Sequence, residues 1–241
     1  MHQSGEFQIN PEEEFPRLSR ALIREAVIEI RARASVPWNE AELLRKLKLQ
    51  LPEYPKHRSG FASQFHISAG KEPKVATKDL GWQGLEFTSA DKKHIAKFHV
   101  ELFSFSRLYP YENWAQFTNE AMRLWKIHRE LAKPSDIQRL GVRFINRIPI
   151  SGERVRIDDY FRGFPDDLPE LNLTLAGFLH HDILAVPGHR YSMNIIKTVQ
   201  PPEAQGKESA LILDIDVYTG QPFQEGTEIV QERLAEKKCA G

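Results

Sequence analysis

Two short segments of this chain carry residue types that do chemistry, His180-His181-Asp182 and Leu213-Asp214-Ile215-Asp216. If both are β-strands, residues two apart share a face, so His180 aligns with Asp182 and Asp214 with Asp216. An imidazole and three carboxylates suit zinc or a hard divalent cation, and the predicted metal set is His180, Asp182, Asp214 and Asp216. With Arg143 as an anion clamp, such a centre would make a metal-dependent hydrolase of phosphate esters. The competing reading is plain: alternating aspartates on a strand usually form a solvated face, and a His-Asp pair is commonly one hydrogen bond. The spacing permits a metal without requiring it.

A second constellation is cationic. Arg143, Asn146 and Arg147 lie close together, and Glu25, Glu29, Arg31 and Arg33 alternate along an earlier segment. Guanidinium forks recognise carboxylate or phosphate in a fixed geometry. Paired carboxylates can act as acid and base, but neighbouring arginines would hold them ionised, so a cross-strand ion ladder is the better expectation. The predicted binding surface is Glu29, Arg31, Arg143, Asn146 and Arg147. Among the aromatics, Trp114 reads as core, and Trp125 falls off the main helical stripe and reads as surface.

The elements that must position these groups can be read from periodicity. Glu25 to Ala34 alternates, with Ala26, Ile28, Ile30, Ala32 and Ala34 on one face. Asn39 and Glu42 open a helix with Leu43, Leu44 and Leu47 inward. Strand-like runs follow at Phe61 to Ser68, Trp82 to Thr88 and Ile95 to Phe105. A helix capped by Asn113 then carries Trp114, Phe117, Ala121, Leu124, His128 and Leu131, until Pro134 stops it. The order recurs: a strand at Arg139 to Ile150, a helical turn at Ile157 to Phe164, three strands at Leu171 to Val186, Tyr191 to Val199 and Ala210 to Tyr218, and a helix at Thr227 to Lys238. The expected fold is therefore α+β: two pseudo-repeated β-α-β-β-β-α halves, 15–134 and 135–241, in one globular protein. They would form a mainly antiparallel sheet with helices covering one face and the other face open to a partner.

Four segments in this order resemble a known family: Ile23 to Arg31, Tyr111 to Phe117, Arg139 to Ile148, and Leu213 to Asp216. Together they are similar to a sporadically distributed prokaryotic family of uncharacterised proteins, over about Phe15 to Glu236. The resemblance implies an accessory gene product and carries no catalytic residues with it. Against that family the end of the chain at Cys239-Ala240-Gly241 reads as a shortened last helix.

Composition narrows the function classes. Of 241 residues, 33 are Lys or Arg and 33 Asp or Glu, so no net field draws a polyanion, and a protein partner is expected before nucleic acid. One cysteine, Cys239, cannot close an internal disulfide, and no apolar run approaches the ~20 residues that span a bilayer. The start lacks an apolar signal core, so a cytoplasmic location is expected. No phosphate-binding glycine loop, dinucleotide fingerprint, Gly-x-Ser-x-Gly elbow or His-Glu-x-x-His helix is present, and no cofactor is implied. The leading expectation is a macromolecule-binding or regulatory module that uses its open sheet face. The alternative is the metal-dependent hydrolase, and the residues alone leave open whether the chain is an enzyme.

Overall fold

A computed structural model describes residues 21–68, 74–150, 159–161, 177–201, 209–224 and 227–240. Its central strand is β1 (Ile23–Arg31), whose alternation buries Ala26, Ile28 and Ile30 completely. On one side β1 pairs with β5 (Phe103–Leu108), and on the other with β7 (Arg139–Pro149), both antiparallel. Beyond β5 lie β4 (His94–His99), β3 (Lys74–Thr88) and β2 (Lys56–Ser68). Beyond β7 lie β10 (Ala210–Thr219), β9 (Ser192–Gln200) and β8 (Leu179–Ala185). The result is one nine-stranded sheet in the order β2-β3-β4-β5-β1-β7-β10-β9-β8, antiparallel at every pairing. The protein is α+β, mostly strand, and the described residues include three helices: α1 (Glu40–Gln50), α2 (Trp114–Ala132) and α3 (Thr227–Ala240).

The register aligns apolar residues in rows across the strands. One row runs Phe87, Ala96, Phe105, Ile28, Val142, Val217, and the next runs Leu85, Phe98, Phe103, Ile30, Leu140, Thr219; all twelve are buried. All of these but Val217 and Thr219 share one buried cluster with Leu43 and Leu47 of α1, Phe117, Ala121, Leu124 and Trp125 of α2, and Val230 and Leu234 of α3, while Val217 packs in a second cluster with Val186 and Tyr191. Both early helices are capped as the sequence predicts. The Asn39 side chain accepts from Glu42 N at 3.1 Å, and the Asn113 side chain accepts from Gln116 N at 2.9 Å. Lys133, left-handed at φ 47°, ends α2 just before Pro134. Among the described residues, no helix is long and apolar enough to cross a membrane.

Three expectations change. The run Ile95 to Phe105 is not one strand but a hairpin, closed by His99 N donating to Leu102 O at 2.9 Å and Leu102 N to His99 O at 3.3 Å. A continuous strand would put Phe103 and Phe105 on the face opposite Ala96 and Phe98. The turn shifts the phase by one residue, and all four become buried partners. Four strands therefore separate α1 from α2, where three were expected. Trp125 is fully buried instead of exposed, because it follows Ala121 by four residues and precedes His128 by three, inside a wide helical stripe. Finally, β2 and β3 begin well before the predicted starts at Phe61 and Trp82.

In the second half, β7, β9, β10 and α3 occupy their predicted positions to within two residues, and β8 is the later part of the predicted strand at Leu171 to Val186. Most of the helical turn at Ile157 to Phe164, and residues 171–176, lie outside the described residues. Two short strands went unread: β6 (Asp136–Ile137) and β11 (Phe223–Gln224), which pair as a separate small sheet.

Candidate functional site

Because the apolar rows use every second residue, the residues between them line the other side of the sheet. One polar row crosses Glu86, Lys97, Ser104, Glu29, Gly141, Tyr218 and Ser192. Its neighbour crosses Ile95, Ser106, Val27, Arg143, Asp216 and Asn194. Charge is concentrated where β1, β7 and β10 meet.

Arg139 is the hub there. Its guanidinium donates from Nη1 to Glu29 Oε1 at 2.9 Å and from Nη2 to Asp216 Oδ2 at 2.5 Å, bridging β1 to β10. Glu29 Oε1 also accepts from Arg31 Nε at 2.9 Å, and Asp216 Oδ2 accepts from Asn194 Nδ2 at 3.4 Å. The chain of contacts runs Arg31, Glu29, Arg139, Asp216, Asn194 across four strands. Gly141 makes the route passable: a Cβ there would stand 2.5 Å from Arg139 Nη1 and 3.2 Å from Asp216 Oδ1. The Arg139 guanidinium also lies over Tyr218, 4.6 Å from the ring centroid.

Beside it, Arg143 holds Asp214 with two parallel hydrogen bonds, Nε to Oδ1 at 2.8 Å and Nη2 to Oδ2. The Asp214 hydrogen bond, working against partial burial, pushes the Arg143 guanidinium above its ordinary pKa. Arg147 reaches across β10 to donate from Nε to Gln200 Oε1 at 3.1 Å. On the β3-β4 side of the same face, Glu86 receives Arg58 at 2.8 Å and Lys97 at 3.7 Å. The buried serines Ser104 and Ser106 of β5 separate the two charge clusters.

Of the predicted binding set, Glu29, Arg31, Arg143 and Arg147 share this face. Asn146 does not: it pairs with Leu213 on the opposite face, where its Nδ2 donates to Leu213 O at 3.2 Å. Asn146 is offset by one residue from the alternation of Arg143 and Arg147, and that offset decides its side.

The four residues of the predicted metal set do not converge. His180 pairs in register with Lys197, and Lys197 with Leu213, so His180 and Asp182 lie on the Leu213 side of the sheet. Asp214 and Asp216 lie on the other side, engaged by Arg143 and Arg139. His180 Nε2 and Asp182 Oδ1 are hydrogen-bonded at 2.8 Å, with Lys197 Nζ 3.6 Å from Asp182 Oδ2. That His180 bond holds the Asp182 carboxyl below its usual pKa. Among the described residues, no group of three or more His, Cys, Asp or Glu is placed to hold a metal ion. The alternation within each strand was read correctly; the odd offset between the two strands could not be seen without their register.

Sequence reasoning missed the roles of Gly141, Asp216 and Asn194 in the ion network. The available signal was Arg139-x-Gly141-x-Arg143, a glycine flanked at the strand period by two arginines. No protein-family model matches the chain, and no curated protein matches it.

Proposed function

We propose that this chain is a non-catalytic binding module whose polar sheet face engages a protein partner. One observation carries the reading: Arg143 has a half-exposed side chain, 47% accessible, whose guanidinium is held by an Asp214 side chain only 10% accessible. A fork held in place on a rigid strand loses little freedom on binding a carboxylate, which is the preorganisation that recognition surfaces need. Arg31, exposed on the same face and opposite Arg139 in register, supplies a second fork. Mixed signs on the face and a formal charge of +0 favour a protein of complementary pattern over a polyanion.

The frame for this face is, on our reading, a duplication. Within the nine-stranded sheet, the first strand of each half is central and the last lies beside it: β5 flanks β1, β10 flanks β7, and β4 and β9 follow outward. The buried cluster shared by three helices supports the inference that helices cover one face and leave the polar one accessible. The family resemblance supports an accessory role in a prokaryotic cell.

Affinity capture from the native cell tests the function with two variants. Arg31→Glu reverses an exposed charge and should lose the co-purifying partner at wild-type stability. Lys126→Glu, on an exposed position of α2, should retain it. Equal recovery with wild type and Arg31→Glu contradicts the reading.

A further inference from the structure

The turn between β8 and β9 meets α3 at an open cleft of about 300 Å³, lined by Gly188, His189, Arg190, Tyr191, Glu232 and Arg233 together with Ile229. The turn is held by Val186 N donating to Tyr191 O at 2.9 Å and His189 N to Val186 O at 3.1 Å. Gly188 takes φ 76°, a conformation that favours glycine. His189 and Tyr191 stack with centroids 6.1 Å apart and form one wall. Arg233 is steadied by Phe223, its Cζ 4.2 Å from the ring centroid. Behind the wall, Lys237 Nζ lies 3.8 Å from the Tyr191 centroid.

The charge pattern is what sets this cleft apart. Among the described residues, neither Arg190 nor Arg233 has a carboxylate within ion-pair distance, whereas Arg139 and Arg143 on the sheet each hold one. Burial, and then the Arg190 charge, push the Arg233 pKa below its ordinary value, although a guanidinium keeps its proton. Two like charges at one cleft repel, and an anion between them would remove that repulsion and satisfy both forks.

We propose that Arg190 and Arg233 bind the phosphate group of a small phosphate monoester in this cleft. Two planar forks supply donors to several oxygens of a tetrahedral dianion, more than a single carboxylate accepts. The volume exceeds that of phosphate alone, which leaves room for the rest of the ester, and Glu232 can accept from its hydroxyl groups. This site lies with α3 and is separate from the sheet face that carries Arg143.

Calorimetric titration at constant ionic strength tests the assignment, with inorganic phosphate, glycerol phosphate and succinate as probes. Phosphate and glycerol phosphate should bind, the ester at least as tightly, and succinate at least tenfold more weakly. Arg190→Gln, an exposed position that leaves the core intact, should weaken phosphate binding at least tenfold, and Arg233→Gln likewise. Arg45→Gln on α1 should leave it unchanged. No binding of phosphate, succinate binding as tight as phosphate, or an Arg190→Gln protein that binds as wild type would each overturn the proposal.

Discussion

Arg143 and Asp214 form a two-bond pair whose members differ sharply in exposure, the aspartate side chain being almost enclosed and the arginine side chain half open. Removing the arginine would strand a nearly buried carboxylate, a heavier loss than that of a surface pair. Arg143→Ala should therefore cost roughly 1–3 kcal/mol, above the ~0–1 typical of exposed pairs. Arg143→Leu combined with Asp214→Leu should recover part of that loss. Urea melts decide it: a single-variant loss under roughly 0.5 kcal/mol would show that water reaches Asp214 freely.

Gly141→Ala should cost about 1–2 kcal/mol, because the new Cβ collides with the Arg139 guanidinium and breaks the bridge from Glu29 to Asp216. Since the displaced atom belongs to a long side chain, the penalty should shrink in an Arg139→Ala background. A double-mutant cycle reads this coupling directly. Equal penalties in both backgrounds would place the cost in the backbone instead.

His128 is fully buried among Trp38, Phe98, Phe103 and Trp125, and neither ring nitrogen has a hydrogen-bond partner. Burial, reinforced by the His99 charge, lowers its pKa from the ordinary 6.5 to about 3. The folded state thus keeps it neutral while the unfolded chain takes a proton as pH falls through 6.5. Its contribution is complete above pH 6.5 and falls by about 1.4 kcal/mol per unit below that, down to about pH 3. Wild type should lose about 3 kcal/mol more than His128→Phe between pH 7 and pH 4. Parallel slopes in denaturant midpoint against pH would contradict this.

Phe117→Ala and Leu124→Ala should each destabilise by roughly 2–5 kcal/mol, since both are buried against the sheet and truncation leaves a cavity. Chemical denaturation measures it, and a loss under roughly 0.5 kcal/mol would put that helical face in solvent.

How much could be read in advance depended on whether a feature was local. Period-two alternation in β1 and the asparagine caps at Asn39 and Asn113 are properties of short segments, and they appear where the sequence places them. The hairpin at His99 to Leu102 was hidden because its turn carries no glycine or proline, so two strands in opposite phase read as one. Glu29, Arg31, Arg143 and Arg147 share a face because each strand keeps its own alternation and β1 and β7 pair in register. Asp216 joining Arg139, and His180 lying on the other side from Asp214, depend on the register of β7, β10, β9 and β8. No local pattern encodes that register.

The central claim is that a protein partner docks on the polar sheet face. Site-specific photo-crosslinking in the native cell tests it most directly, with the reactive residue placed at Arg31 on that face and, separately, at Lys126 on α2. The account predicts a discrete protein adduct from position 31 and none from position 126. An adduct from position 126 alone, or none from position 31, would contradict it.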